Sequence, residues 1–352
     1  MSAQQVILEG LEGLSAALQG RKRVLLVADA SFPFLSIKDD VLAAVRPAAV
    51  FRDFHSNPVD EEIRAGHLLF RETGCDALVA VGGGSAMDVA KCIKLSEITR
   101  DDAACGILLI AIPTTAGTGA ESTGNAVYYL KGVKQTVAHP CIRPDYAFLE
   151  PSVLETLPIY QKKCTLMDAL CQGIESWWSV AATSESRVHS KRAIKGIMAH
   201  WRRYIFDNAP EAARQVMWAA NDGGRAIHIA HTTAAHAMSY KLGSLFGFPH
   251  GHAVAVCLPE IWEYMLPRAN SALQAVFADI ALAMGAADAA EAVDMFRSMM
   301  EDLSLERPVA TEDRESLLEE LASSVNQTRL ANNPVPLDKD ACKYLYDRIV
   351  RK

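Results

Sequence analysis

The sequence of 352 residues has no long hydrophobic run, no excess of basic residues and no CxxC pair. Its apolar stretches, such as residues 107–113, are much shorter than the roughly 20 residues of a membrane-spanning helix, so we expect no membrane partner. The net charge of -7 argues against nucleic acid as a partner, because a general nucleic-acid binder needs a basic face. The eight cysteines stand mostly in apolar surroundings. This predicts reduced core thiols in a cytoplasmic protein and argues against a disulfide framework.

The order of apolar segments predicts two domains of different class. In the first part, short buried-strand patterns alternate with helical patterns, which is typical of a parallel sheet covered by helices. The predicted strands are residues 23–29, 76–84, 106–115 and 145–151. After about residue 158 only helical patterns follow, at residues 161–180, 185–206, 210–237, 252–267, 270–285, 289–302, 311–323 and 338–350. We therefore predict an α/β domain with a Rossmann-like parallel sheet at residues 1–157 and an all-helical domain at residues 158–352.

A glycine-rich turn follows the second predicted strand. In VGGGSAMDVAK (81–91), Gly82, Gly83 and Gly84 precede Ser85 at a predicted helix start. Glycine lets the backbone approach a pyrophosphate, and a helix N-terminus offers it free N–H groups. The pattern is neither GxGxxG nor a Walker sequence, which argues against a P-loop NTPase. A plain tight turn is the alternative interpretation.

A second turn, IPTTAGTGAEST (112–123), offers the hydroxyl groups of Thr114, Thr115 and Thr118. Both turns lie at the carboxyl ends of successive predicted strands, where open α/β sheets bind ligands, so together they predict a dinucleotide site. Asp29 ends the first predicted strand, and an acid there can accept hydrogen bonds from the adenosine ribose and repel a 2′-phosphate. This favours NADH over NADPH, although a strand-end aspartate without a ligand is an equally good interpretation.

The helical half contains an acid, an amide and several histidines in two separate segments. Asp168 and Gln172 are four residues apart on a predicted helix, so both side chains leave from one face. His236 and His250 lie further along the chain, with His252 two residues later. If these side chains converge they form a divalent-metal site, whereas a histidine by itself is more often a core residue. A nucleotide half followed by a metal half indicates a metal-dependent dehydrogenase.

Four segments of the chain together resemble the iron-containing, group III alcohol dehydrogenases. They are the two turns, the DALxxxIE helix at 168–175 and the PHG at 249–251, and they occur in the family's order over nearly the whole chain. The resemblance implies the dehydroquinate synthase-like fold and hydride transfer between NAD(P)H and an aldehyde or ketone, with Fe²⁺ or Zn²⁺ polarising the carbonyl. Finer stretches, including RLANNPVPLD (329–338), resemble members that reduce phosphonoacetaldehyde to 2-hydroxyethylphosphonate.

Carried over residue by residue, the family's metal ligands fall on Asp168, Gln172, His236 and His250. The family has a histidine where this chain has Gln172, and often one where it has Tyr240. A neutral amide is a poorer ligand than imidazole for Fe²⁺ or Zn²⁺. One carboxylate and two imidazoles still suffice for either metal, with Gln172 as a weak ligand or as a partner of a metal-bound water. The alternative is that Gln172 marks the loss of the metal.

The resemblance also suggests roles for residues outside the turns and the ligand set. Lys134 matches a lysine that reaches the cofactor ribose. We expect His250 or His252 to supply the proton, and His252 is also a candidate for the imidazole missing at position 172. Lys241 is the expected contact for an anionic substrate group. Further candidates for that contact are Arg329, Asn332 and Asn333.

The expected partner is a small anionic aldehyde, and we expect a homodimer. Two alternatives stay open at this point. An alcohol or polyol dehydrogenase, or a sugar-phosphate cyclase of the same superfamily, would use the same turns on a different substrate. A catalytically inactive nucleotide-binding protein is the other alternative, suggested by Gln172.

Overall fold

A computed structural model describes residues 5–310 and 313–352, with the side chains of Asp102 and Ala104 excepted. The chain divides into two compact units, one made of Met1–Leu157 with Asn208–Met217 and the other of Pro158–Asp207 with Trp218–Lys352. The short segment 208–217 therefore groups with the first unit, whereas the sequence prediction assigned it to the second. Among the described residues, no helix has the length and apolar character needed to cross a membrane.

The first unit is built on a six-stranded parallel sheet. Its strands are β1 (Val6–Glu9), β2 (Val24–Ala28), β3 (Ala49–Phe51), β4 (Ala77–Gly82), β5 (Leu108–Pro113) and, later in the chain, β8 (Tyr146–Leu149), in the order β1-β8-β5-β4-β2-β3. A separate antiparallel hairpin consists of β6 (Asn125–Leu130) and β7 (Val133–Ala138). Every residue of β2, β4 and β5 is buried, as expected for central parallel strands covered on both faces.

The helices of the first unit are α1 (Leu14–Ala17), α2 (Lys38–Val45), α3 (Asp60–Glu72) and α4 (Gly84–Ile98). Strands alternating with helices confirm the predicted α/β class. The prediction missed β1, β3 and the hairpin. β1 and β3 are edge strands of four and three residues, β1 is mostly exposed and the hairpin is mostly half-buried, so none forms a buried apolar run.

The second unit is helical in its described residues, which confirms the predicted class. Its helices are α5 (Ile159–Trp178), α6 (Ser184–Ile205), α7 (Pro210–Ala230), α8 (Ala234–Phe246), α9 (His250–Met265), α10 (Ser271–Met284), α11 (Ala289–Asp302), α12 (Arg314–Ser324), α13 (Gln327–Leu330) and α14 (Lys339–Ile349). The first residues of α7 belong to the segment that groups with the first unit. Residues 311 and 312 of the helix predicted at 311–323 lie outside the described residues.

One predicted helix, residues 210–237, is two helices in the structure. The break lies between α7 and α8, where His231 takes a left-handed conformation with φ of 58°. A residue with a side chain rarely adopts this conformation, so the sequence gives no signal for it. The break matters for the site because it places His236 in the first turn of a new helix.

The prediction of reduced thiols is wrong for two cysteines. Cys105, before β5, and Cys141, after β7, form a disulfide with their Cα atoms 5.3 Å apart. They are 36 residues apart in the chain, and only the packing of the hairpin brings them together. The remaining six cysteines are buried and free, as predicted.

Candidate metal centre and cofactor turns

The glycine turn joins β4 to α4 and encloses the side chain of Asp29. Gly82 has a φ of 152°, and a Cβ at this position would collide with Oδ2 of Asp29, so the position requires glycine. The backbone N–H of Gly83 donates to the same Oδ2 at 3.0 Å. The other oxygen, Oδ1, accepts from the backbone N–H of Ser31 at 2.9 Å. Asp29 therefore holds the glycine turn in place, besides any contact that it makes with a ribose.

The structure brings the threonine turn against the glycine turn. The backbone N–H of Thr114 donates to the carbonyl of Gly82 at 3.0 Å. A Cβ built on Gly84 would lie 3.1 Å from Cγ2 of Thr118, and one on Gly83 would lie 3.6 Å from Cγ2 of Thr115. The first turn of α4 has no side-chain cap in the described structure. Its N–H groups, beside the threonine hydroxyls, form an environment suited to a pyrophosphate.

Two further predicted cofactor residues are Ser85, within α4, and Lys134, on the hairpin. Ser85 is in the first turn of α4, and its hydroxyl accepts from the backbone N–H of Asn57 at 3.2 Å. Lys134 lies on β7 and acts electrostatically on Asp88 of α4. Burial raises the pKa of Asp88 to about 7, and the positive charges of Lys91 and Lys134 partly oppose this rise.

Three of the predicted metal ligands converge in the second unit. Asp168 is on α5, His236 is on α8, and His250 is the first residue of α9. Nε2 of His236 lies 3.3 Å from Oδ1 of Asp168, and Nε2 of His250 lies 4.0 Å from the same oxygen. One ligand atom from each residue lies within 4.8 Å of the other two. This is a compact set of one carboxylate and two imidazoles.

A close helix contact fixes the distance between His250 and Asp168. A Cβ on Gly251 would overlap the backbone carbonyl of Cys164 on α5 and would lie 2.9 Å from Cβ of Asp168. The start of α9 therefore rests directly on the backbone of α5. The glycine of the PHG sequence is required by this contact, and His250 is brought to the acid as its consequence.

Glu175 contacts His236 at Nδ1, the ring nitrogen that does not face Asp168. It lies seven residues after Asp168 on the same face of α5, and its Oε2 is hydrogen-bonded to Nδ1 of His236. Its Oε1 accepts from the backbone N–H of Thr233 at 3.0 Å, from the Thr233 hydroxyl at 2.7 Å and from the backbone N–H of Ala235 at 3.0 Å. The carboxylate thus caps α8 and keeps the proton of the imidazole on Nδ1, which leaves Nε2 to bind a metal.

The buried charges of the cluster depend on one another. Burial opposes ionisation of Asp168, but the electrostatic effect of His250 and the hydrogen bonds of His236 and the Gln172 amide outweigh it and hold the pKa of Asp168 below its usual value. Burial also opposes ionisation of Glu175, and His236 and Thr233 likewise lower its pKa. Burial alone would lower the pKa of His236, but the two carboxylates raise it to about 9. Without a metal, the His236 ring therefore carries protons on both nitrogens at neutral pH and is positively charged.

The cluster fits a divalent cation. Oδ1 of Asp168 is fully buried and accepts no hydrogen bond of normal geometry from the described residues, although two imidazole nitrogens face it. Two buried carboxylates, Asp168 and Glu175, give the cluster a negative charge that a cation would offset. The donor set of one oxygen and two nitrogens suits Fe²⁺ or Zn²⁺. Gln172 is the fourth predicted ligand, and it faces Asp168 on α5.

Two predicted catalytic residues do not join the cluster. Both ring nitrogens of His252 are already engaged, Nδ1 with the Tyr160 hydroxyl at 2.8 Å and Nε2 with the backbone carbonyl of Glu306 at 2.8 Å. His252 is also buried, which lowers its pKa. Lys241 pairs with Glu320 at 2.7 Å, because it lies five residues after His236 and so on another face of α8. The structure thus assigns His252 to packing and Lys241 to a surface ion pair.

Tyr240 and Arg329 lie beside the cluster, and sequence reasoning gave them little weight. The ring of Tyr240 is parallel to that of His250 within 6°, with centroids 5.8 Å apart. Cζ of Arg329 lies 4.7 Å from the centroid of the Tyr240 ring, and its Nη1 donates to the Tyr240 hydroxyl. The signal available in the sequence was Tyr240 itself, one turn of α8 after His236 and therefore on the same face.

Family models match both halves of the chain. Residues 6–151 match the model described as iron-containing alcohol dehydrogenase, and residues 163–350 match that of the C-terminal part of the same family. The chain belongs to the iron-containing alcohol dehydrogenase family. This family membership makes the protein an oxidoreductase acting on alcohols or aldehydes, and the family implies NAD(P) and a divalent metal ion.

Individual relatives cover nearly the whole chain. A phosphonoacetaldehyde reductase of Streptomyces viridochromogenes is 30% identical over 361 residues, which span 93% of this chain and 90% of that protein. The structure of an iron-containing alcohol dehydrogenase from Thermococcus thioreducens superposes with a TM-score of 0.89 at 28% identity and covers 98% of each chain. A sulfoacetaldehyde reductase of Bifidobacterium kashiwanohense, solved in complex with NAD⁺, gives a TM-score of 0.88 at 25% identity and covers 98% of this chain and 96% of its own.

Proposed function

We propose that this member of the family reduces a small anionic aldehyde to the alcohol with NAD(P)H, and that Asp168, His236 and His250 hold the metal ion of this reaction. The observation that carries the proposal is the cluster of a buried carboxylate, a buried imidazole and the exposed imidazole of His250, with Glu175 fixing the tautomer of His236. A protein that had lost its metal would have no need for this arrangement of buried charges, which is costly without a cation.

The metal ion supplies Lewis-acid chemistry at the carbonyl oxygen when it is bound. Asp168 contributes the charge, and the two histidines contribute neutral nitrogen ligands. Gln172 lies beside Asp168 and leaves the site with one imidazole fewer than the family pattern, so we expect a weaker hold on the ion. Of the two predicted proton donors, His250 remains. Its side chain is 43% exposed, with Nε2 4.0 Å from Oδ1 of Asp168.

The paired turns of the first unit would hold the pyrophosphate of the cofactor, whose nicotinamide would supply the hydride. Gly82, Gly83, Gly84 and Ser85 face the pyrophosphate together with the threonine hydroxyls, which are those of Thr114, Thr115 and Thr118. Lys134 reaches the ribose. Asp29 favours NADH, because a second phosphate on the ribose would meet its negative charge. Its bonds to Gly83 and Ser31 keep the carboxylate at the turn.

For the substrate we propose phosphonoacetaldehyde, reduced to 2-hydroxyethylphosphonate. The support is the 30% identity over nearly the full length to a protein of that activity, together with the fold shared with a sulfoacetaldehyde reductase, whose substrate is also a two-carbon aldehyde with an acidic group. The proposal thus places the chain in phosphonate metabolism.

Steady-state kinetics test this function. The purified protein, loaded with Fe²⁺ or Zn²⁺, is assayed for oxidation of NADH and NADPH with phosphonoacetaldehyde, acetaldehyde and propanal. In the reverse direction it is assayed for reduction of NAD⁺ and NADP⁺ with a set of polyols. The proposal expects the highest kcat/KM with phosphonoacetaldehyde, and no activity in the variants Asp168→Ala and His250→Ala. A preference for polyols would favour a polyol dehydrogenase. NADH binding without turnover of any substrate would favour an inactive nucleotide-binding protein.

A further inference from the structure

We propose that Arg329, held against Tyr240, binds the anionic group of the substrate and so determines the preference for an anionic over a neutral aldehyde. The inference rests on the proposed function, since it assigns the substrate's second binding point at the same site. It also corrects the expectation that Lys241 fills this role.

A continuous series of contacts joins the metal cluster to Arg329. His250 approaches Asp168 with its Nε2 at 4.0 Å, and its ring is parallel to that of Tyr240. Arg329 covers the Tyr240 ring with Cζ 4.7 Å from the centroid, and it donates to the phenol oxygen. If a small aldehyde binds through its carbonyl beside His250, the guanidinium of Arg329 lies against the neighbouring ring, that of Tyr240.

The segment that carries Arg329 is anchored on the site's own helices. Asn332, three residues after Arg329, donates through Nδ2 to the backbone carbonyls of Ala230 and Thr232, at 2.9 Å each. Its Oδ1 accepts from the Ser179 hydroxyl at 2.9 Å. These contacts fix α13 against the end of α5 and the break before α8. Asn332 and Asn333 were predicted substrate contacts, but their amides serve the fold, since Asn333 bonds the backbone carbonyl of Val335 at 2.7 Å.

The positive charge of Arg329 suits the acidic end of an anionic aldehyde. The acidic end of the substrate is a second anionic group beyond the carbonyl, and a positive side chain near it would pair with its charge. Lys241 pairs with Glu320 on another face of α8, whereas Arg329 contacts the ring and the hydroxyl of Tyr240, on the face of α8 that carries His236. The planar fork of a guanidinium matches the oxygens of a phosphonate, a sulfonate or a carboxylate. We assign the phosphonate as the group bound.

The test compares two variants of Arg329 with a matched control. Arg329→Met removes the charge but keeps an extended side chain over the ring, and Arg329→Lys keeps the charge without the fork. The control is Arg268→Met, because Arg268 also covers a tyrosine ring, that of Tyr264, with Cζ 3.7 Å from the centroid. Two readouts are used on metal-loaded protein: kcat/KM for phosphonoacetaldehyde and for propanal, and calorimetric binding of ethylphosphonate, which has no aldehyde group.

In Arg329→Met, kcat/KM for phosphonoacetaldehyde should fall by about 10- to 100-fold, mainly through KM, because the charged hydrogen bonds to the substrate are lost. The kcat/KM for propanal should not change. Ethylphosphonate should bind less tightly by a similar factor, Arg329→Lys should recover part of the loss, and Arg268→Met should match the wild type. Equal losses for both aldehydes, or no loss for either, would overturn the inference, as would a wild type that does not bind ethylphosphonate. Binding of ethylphosphonate that depends on Arg329, without aldehyde turnover, would support the anion site and reject the proposed function. Aldehyde turnover, with ethylphosphonate binding that does not depend on Arg329, would support the proposed function and reject the anion site.

Discussion

The substitution Glu175→Gln should weaken metal binding without touching any of the proposed metal ligands. The amide oxygen of glutamine can replace Oε1 of Glu175 and keep the three hydrogen bonds from Thr233 and Ala235. The NH₂ group then replaces Oε2 and meets Nδ1 of His236. Two N–H groups cannot face each other, so the imidazole must move its proton to Nε2. That nitrogen is the one turned toward Asp168, and it no longer offers a lone pair to a metal.

The expected loss of affinity follows from this exchange. The variant loses one hydrogen bond to a charged acceptor, a loss of about 1.5–3 kcal/mol. This corresponds to a dissociation constant raised by roughly 10- to 100-fold, as is usual for partners that orient a ligating histidine. The measurement should be made at pH 9, because the pKa of His236 is about 9 and the competing proton, favoured by the same carboxylate, masks part of the loss at lower pH.

The assay is a competition for Zn²⁺ between the protein and a chelator of known affinity. Glu260→Gln is the matched control, because Glu260 is also a buried glutamate of the second unit but pairs with Arg297 at 3.1 Å and Arg348 at 2.7 Å, away from the cluster. The control should hold the metal as tightly as the wild type. Wild-type affinity in Glu175→Gln would refute the argument that Glu175 sets the tautomer of His236.

Further predictions concern the packing of the cluster, its fourth ligand, its proton and the cofactor. Gly251→Ala should abolish stoichiometric metal binding, because the added methyl group would overlap the backbone carbonyl of Cys164, and metal analysis of the purified variant checks this. Gln172→His should tighten Zn²⁺ or Fe²⁺ binding by about tenfold or more in the same chelator competition, since imidazole is the better ligand; unchanged affinity would show that position 172 is not part of the site. Uptake of Zn²⁺ at pH 7 should release about one proton, because the pKa of His236, raised to about 9, keeps that ring protonated in the metal-free protein; the release should decline as the pH rises through 9, and calorimetry in buffers of different ionisation enthalpy measures it. Asp29→Asn should raise kcat/KM for NADPH relative to NADH by several-fold, because it removes the charge that a 2′-phosphate would meet; an unchanged ratio would leave Asp29 as a holder of the glycine turn alone.

Much of the fold could be predicted because it follows from local periodicity. The central strands are continuous apolar runs, and the helices repeat with the helical period, so their class and approximate limits could be read directly. The break between α7 and α8 could not, because it depends on a left-handed conformation at His231 that few residues other than glycine adopt. The disulfide of Cys105 and Cys141 depends on how a hairpin packs, which no local pattern encodes.

The same distinction holds for the site. Asp168 and Gln172 share a helical face by spacing alone, whereas the approach of His236 and His250 was predicted from the resemblance to a family. Glu175 lies on that face too, seven residues after Asp168, but nothing in the local sequence assigns it a role, because its partners at Thr233, Ala235 and His236 lie at the start of a different helix. His252 and His250 look equivalent in the sequence. They differ because residues two apart on a helix lie on different faces: His252 faces Tyr160, and His250 faces Asp168.

The central claim, that Asp168, His236 and His250 hold a divalent ion required for aldehyde reduction, is tested most directly by a metal titration of activity. The protein is stripped with a chelator, and Fe²⁺ or Zn²⁺ is added back in known amounts while NADH oxidation by phosphonoacetaldehyde is followed. The account predicts no activity in the stripped protein and a rise to a plateau at one ion per chain, with no recovery in His250→Ala. Full activity of the stripped protein, unchanged by added metal, would contradict it.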